Sequence, residues 1–318
     1  MVETTYVIGN GFDLHLGLKT SYKDFYEYLD EQINEGKFED NGLIKDIEDS
    51  IKDIRFHGDP NKPEKLDPEK ERPLVNWANL EAGIKEDLQR LAQSEITHEV
   101  LSTRIDDFFY DLSKCLSQYL HSQNDLVHLN VSGSQATEGI LAPFRNLASG
   151  DRDDLFNSII KGNSEITDPN IKGHFEINFV NFNYTNTLDQ YVSQVANIDD
   201  SDFKRVTYGS KIAAVNKKIL HPNGTFDETS IVGVGRAEDI PKELSLEDYQ
   251  IDYLSKLNFA RNRHDGRVDE TFKRLKDSDV TIIYGMSIGE SDAVYFDKII
   301  EGMIANPHKH VIIVRLPA

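Results

Sequence analysis

Apolar and polar positions along this chain follow two periods, and the switches between them mark its elements. Thr5–Ile8 predicts a short strand that runs directly into Gly9-Asn10-Gly11. Ser21 and Asp24 form an S-x-x-D capping box, and Phe25, Tyr28, Leu29 and Ile33 follow at helical spacing, so a helix begins near Ser21. From Gly36 to Pro73 the chain is dense in charge. Ile44, Ile47, Ile51 and Ile54 predict one amphipathic helix there, and Pro60, Pro63, Pro68 and Pro73 predict a surface loop. Residues 77–160 are helical in pattern, first through Trp77, Leu80, Ile84, Leu88 and Leu91, then through Val100, Leu101, Ile105, Phe108, Leu112, Leu116 and Tyr119. Two shorter helices are expected at Glu138–Ala148 and Asp153–Lys161.

The period then changes. Phe175–Asn183 alternates as a strand does, and Thr187–Val195 reads as a helix. Short strands are expected at Arg205–Tyr208, Lys218–His221 and Ser230–Val234, and helices at Ile251–Asn262 and Val268–Lys276. The end repeats the opening plan: strand Val280–Tyr284, glycine turn Gly285–Gly289, helix Asp292–Ala305, strand His310–Leu316. Val311–Val314 is apolar on both faces, which predicts a central parallel strand. The fold class expected is α/β: a doubly wound, mostly parallel sheet built from residues 1–35 and 170–318, interrupted by a mainly helical insertion, 36–169. Ligands of such sheets bind outside the carboxyl ends of the strands.

Composition narrows the function. Of 318 residues, 38% are hydrophobic and 28% charged, as in a globular chain. Asp and Glu number 55 against 35 Lys and Arg, a net charge of −20, which argues against a duplex nucleic acid partner. Cys115 is the only cysteine, so neither an intrachain disulfide nor a cysteine zinc cage is available. No apolar run approaches the ~18–20 residues of a membrane span. The first residues lack a signal-peptide pattern, so a cytoplasmic protein is expected. None of the histidines shows a metal-binding spacing, and no metal is expected.

The candidate chemistry sits at predicted strand ends. Gly9, Asn10 and Gly11 allow a sharp turn and close backbone approach, which suits bound phosphate at a helix start. The same turn serves equally as a plain strand-to-helix connection, and Leu14 stands where the third glycine of the dinucleotide fingerprint belongs. Asp13 is a candidate either for ribose contact or for capping the turn. Asn183 ends the alternating strand between aromatics, with Thr185 and Asn186 as caps for the next helix. His221, in His221-Pro222-Asn223-Gly224, is the one of these side chains suited to proton transfer near neutrality. Gly285 and Ser287 form a second glycine turn with backbone and hydroxyl donors, and Ser291 or Asp292 caps the last helix. Gly233 and Gly235 make a third such turn, while Glu81 is expected as a solvated or paired residue on an amphipathic helix.

The segments IGNGFDLHLGLKTSY (8–22), NWANLE (76–81), FNYTNTLD (182–189), HPNG (221–224) and YGMSIGESD (284–292) resemble the AbiH abortive-infection family of bacterial anti-phage proteins. The family in turn resembles sirtuin-like NAD-binding domains. That likeness implies an NAD pocket at Gly9, Gly11, Asn183, His221, Gly285 and Ser287. Pro222 and Asn223 separate His221 from Gly224, and Thr185 stands where an Asp is usual. With a single cysteine the zinc module of deacylating sirtuins is missing, so the resemblance implies NAD hydrolysis to nicotinamide and ADP-ribose. In it Asn183 and His221 are catalytic, and Gly9, Asn10, Gly11, Asp13, Gly285 and Ser287 bind the nucleotide. A phage trigger and a homo-oligomer are the partners implied, with restraint in uninfected cells for which the 55–75 loop is a candidate. Three readings compete: a sensor that binds NAD or ADP-ribose without turnover, an interaction protein using helices 77–160 to meet a phage component, and a nuclease.

Overall fold

In the computed structural model, five strands form one parallel sheet: β1 (Val2–Ile8), β2 (His174–Asn181), β3 (Ile212–Val215), β4 (Val280–Tyr284) and β5 (His310–Val314). Their order is β3-β2-β1-β4-β5. The structure describes residues 2–37, 44–45, 77–124, 129, 131–162, 174–195, 212–227, 233–262, 266–286 and 292–314. β1 lies in the middle and is buried along nearly its whole length, threonines included. Its last residue, Ile8, pairs with Asn181 on one side and Tyr284 on the other. The carboxyl ends of β2, β1 and β4 are therefore level, and the segments that follow them leave the sheet along one edge.

Helices cover both faces, because successive side chains of a strand point to opposite sides. On one side Tyr6, Ile8, Ile177, Phe179 and Ile282 meet α5 (Gly133–Arg145), α6 (Ser149–Gly162) and α7 (Thr187–Gln194). The Tyr6 hydroxyl donates to the Ile140 carbonyl, tying α5 to the central strand. On the other side Val7, Val180 and Ile283 meet α9 (Lys256–Asn262), α10 (Arg267–Asp277) and α11 (Ala293–Ala305). A third cluster lies in a helical layer. It joins α2 (Tyr22–Asn34), α3 (Trp77–Ala92) and α4 (His98–Asn124) to Phe226, Val234, Leu244 and Leu254, the last on α8 (Asp248–Leu254). α2 starts as its sequence predicts, with Ser21 and Asp24 closing a reciprocal capping box. Among the described residues no helix is long and apolar enough to cross a membrane.

Several expectations change. β5 is an edge strand, paired only with β4 among the described residues, and Ile313 is 63% exposed. Its two-sided apolar pattern arises because Val311 packs on one face and Ile312 and Val314 on the other. Lys218–His221 is no strand: it reduces to one bridge, Leu220 to Val180. β3 instead occupies Ile212–Val215, a four-residue stretch whose pattern is too short to stand out. The expected helix 251–262 breaks at Ser255, which pairs with Val234 and separates α8 from α9. Strand 205–208, the proline loop, residues 46–54 of the isoleucine helix and 230–232 of the last short strand lie outside the described residues.

Candidate active site

The turns after β1 and β4 interlock. The Gly9 amide donates to the Tyr284 carbonyl at 3.0 Å and the Gly11 amide to the Gly285 carbonyl at 2.7 Å. A Cβ on Gly9 would lie 2.6 Å from Met286 Cα, and one on Gly285, whose φ is +62°, would lie 2.7 Å from the Phe12 nitrogen. These glycines let two backbones touch, and the Gly9 and Gly11 amides are held by protein carbonyls. The Asn10 side chain donates to the Thr20 carbonyl and accepts from the Thr20 hydroxyl, at 2.8 and 2.7 Å, clamping the loop between α1 (Gly11–His15) and α2. Ser287 lies outside the described residues.

Asp13, on the single turn of α1, is almost completely buried beside the loop that follows β2. The Thr185 hydroxyl donates to Asp13 Oδ2 at 2.6 Å. Burial pushes the Asp13 carboxyl up to about 6, while Thr185, Asn183 and Thr187 around it pull the other way. Asp13 Oδ1, Asn183 Nδ2 and Thr187 Oγ1 are all buried without a hydrogen-bond partner among the described residues. Asn183 and Thr187 thus stand near enough to hold the Asp13 carboxyl down, although neither closes a bond of full geometry to it. The Asn183 backbone N–H donates to Asn181 Oδ1 at 3.1 Å.

His221 lies on the other side of β2, in the turn that follows the Leu220 bridge. The Asn223 side chain donates to the Phe182 carbonyl, holding this turn against the end of β2. His221 Nε2 lies 3.0 Å from Asp189 Oδ2, on the first turn of α7. A carboxylate only accepts, so Nε2 is the donor in this contact. Nδ1 is buried and has no partner among the described residues.

Sequence reasoning missed Asp189, although it closes the same FNYTNTLD segment that carries Asn183. It also gave Thr185 and Asn186 to capping. Thr185 instead serves Asp13, and Asn186 stands at the N-cap position of α7 with its side chain on Asp227. A second polar group was missed as well. Lys256 Nζ meets Glu81 of α3 at 2.7 Å and Asp292 at 3.9 Å, all three largely out of solvent. Asp292 makes no capping bond to α11. Burial raises the Asp292 carboxyl, and the two carboxylates hold Lys256 well above its ordinary value. Burial also pushes Tyr184 up to about 12, beside the same charges. The loop after β2 therefore faces both groups, Asn183 and Thr185 toward Asp13 and Tyr184 toward Lys256. Among the described residues no three His, Cys, Asp or Glu are arranged to hold a metal ion.

A family model described as bacteriophage abortive infection AbiH matches residues 5–314. The chain belongs to the AbiH family. Comparison with curated proteins and with solved structures gives no match. In this AbiH chain, the segments whose sequence carries the family resemblance come together in space. Asp13, the 183–189 loop, the His221 turn, Gly285, Glu81 and Asp292 lie at or beside one edge of the sheet, although they span most of the chain's length.

Proposed function

We propose that this AbiH protein acts in bacteriophage abortive infection by hydrolysing NAD to nicotinamide and ADP-ribose at the edge formed by the carboxyl ends of β1, β2 and β4. The observation that carries this reading is the buried Asp13 carboxyl with Asn183 and Thr187 against it on one side of the β2 end, and on the other side a histidine whose Nε2 is held by Asp189. Cleaving the bond between nicotinamide and ribose develops oxocarbenium character at the anomeric carbon. The bonding pair leaves with the ring nitrogen, so nicotinamide departs neutral. Ionised Asp13 steadies the developing positive charge in a site of low polarity. Asn183 orients the ribose or the attacking water, and His221 Nδ1 takes the proton that water loses as its oxygen bonds to the anomeric carbon.

The glycine turns contribute shape more than donors in this reading, since the Gly9 and Gly11 amides are already engaged. Gly285 and Ser287 are assigned to the ribose or phosphates. We infer further that the sheet is doubly wound and sirtuin-like, a reading supported by its strand order and by helices on both faces. Residues 1–35 and 170–318 then form the nucleotide-binding core, with 36–169 inserted into it. Access to the cell's NAD requires a cytoplasmic location.

The test is incubation of the purified protein with NAD, with and without lysate of phage-infected cells, measuring nicotinamide. His221→Ala is expected to lose about 10²–10⁴-fold in rate, and Asn183→Ala and Asp13→Asn to lose activity as well. Full NAD cleavage by both His221→Ala and Asn183→Ala would overturn the assignment. Calorimetric binding of NAD without nicotinamide release under either condition would make the pocket a sensor instead.

A further inference from the structure

Away from this site, a cleft of about 720 Å³ opens between α4 and the α8–α9 pair. We propose that it binds an arginine-bearing segment of a partner protein. Its floor is aromatic. Phe109 stacks on Tyr253 with ring centroids 4.9 Å apart and planes 14° from parallel, and Phe259 leans on both. Tyr110, Tyr249 and Tyr253 nevertheless stay 65%, 45% and 39% exposed. Rings this open to water are stiff contact surfaces awaiting a neighbour, and tyrosine is among the residues enriched where binding energy concentrates.

Charge decides which neighbour. Asp106 stands at one wall, accepting from the Tyr249 hydroxyl at 3.0 Å and from Gln250 at 3.1 Å, and Asp227 stands at another. His121 Nε2 and Asn186 Nδ2 each approach Asp227 at 3.4 Å, and both carboxylates keep lone pairs for further donors. Lys114, the one basic residue of the lining, lies 5.6 Å over the Tyr110 ring, so a cation already sits on one face of this cleft. A guanidinium meets both features: it is planar and weakly hydrated, stacks on a tyrosine face, and forks onto a carboxylate. An anionic aromatic ligand such as a nucleotide would face two carboxylates against one lysine. A purely apolar segment would strip water from those carboxylates with nothing in return. The chain's net charge of −20 favours encounter with a basic partner. This inference does not rest on the NAD reading: Asp13, Asn183 and His221 do not line the cleft, and Asn186, whose side chain donates to Asp227, links the two regions.

The test titrates the full chain against fluorescently labelled tetra-arginine, tetra-lysine and tetra-citrulline peptides at one ionic strength, reading polarisation. Tetra-arginine should bind saturably, tetra-lysine more weakly, and tetra-citrulline, planar but uncharged, should not bind. Tyr110→Ala, Tyr249→Ala and Asp106→Asn should each weaken tetra-arginine about three- to tenfold, with circular dichroism confirming the fold. Lys114→Ala should tighten it. Asp151→Asn makes the same charge change on α6 and should leave binding unaltered. No saturable binding, equal affinity for lysine and arginine peptides, an unchanged Tyr249→Ala variant, or equal effects of Asp106→Asn and Asp151→Asn would each overturn the proposal.

Discussion

Asp13 concentrates the tension between folding and chemistry in one carboxyl group. Its proton is held more tightly in the folded chain than in an unfolded one, where the group sits at 3.8. The folded state therefore binds more protons between about 4 and 6, and stability falls as pH rises through that window. Above it, ionised Asp13 costs the fold about 3 kcal/mol. Asp13→Asn keeps an acceptor for Thr185 and removes the charge. It is expected to raise stability by about 1–3 kcal/mol at pH 7.5 in urea unfolding, with little change at pH 4, while NAD cleavage is lost. A variant destabilised at pH 7.5 but not at pH 4 would show that the charge itself holds the site together. On the proposed mechanism, NAD cleavage should decline as pH drops below about 6 and Asp13 takes up its proton. Asp13 and Asn183 were legible in the sequence as polar residues at strand ends. The role of Thr185 was not, because a threonine before a helix reads as a cap, and its partner lies 172 positions away.

At the scale of elements, the glycine turns show how one pattern supports two meanings. Gly9-Asn10-Gly11 was legible as a strand-to-helix turn. What the sequence could not state is that its glycines fit against a second turn, since that follows from β1 and β4 ending at the same level. Two substitutions separate backbone strain from contact. Gly17 has φ +86° but open space around it, whereas Gly285 has φ +62° and no room for a Cβ. Gly17→Ala should cost about 1 kcal/mol, the price of a left-handed alanine. Gly285→Ala should cost about 3 kcal/mol or more, because the β1 and β4 turns must also part. Equal losses in urea unfolding would mean that the two turns do not depend on their close approach. The same limit explains β5. Its apolar faces announced burial on two sides, but whether a strand has one neighbour or two is settled by the order of the sheet.

Across the whole molecule, the helical layer and the sheet are joined by polar as well as apolar contacts. α3 and α4 share a core with α2, which precedes them in the chain, and with Phe226, Val234, Ile240, Leu244 and Leu254, which follow them. Lys256 then links α3 to the start of α11 through Glu81 and Asp292. The periodicity of 77–160 made those helices legible, but nothing in it indicated that Glu81 would meet a lysine 175 positions later. Removing the cation leaves two carboxylates largely out of water without compensation. Lys256→Met is therefore expected to cost about 3–5 kcal/mol, and adding Glu81→Gln should restore part of it. Trp77, the chain's one tryptophan, lies on α3, so its emission follows the helical layer while far-ultraviolet dichroism follows the whole chain. If the layer and the sheet unfold as one unit, the two signals give coincident urea transitions in the wild type, and Lys256→Met moves both to lower denaturant together. Separate transitions, with only the tryptophan signal moved by the substitution, would make the layer an inserted unit that folds on its own, and the Lys256 group its detachable contact with the sheet.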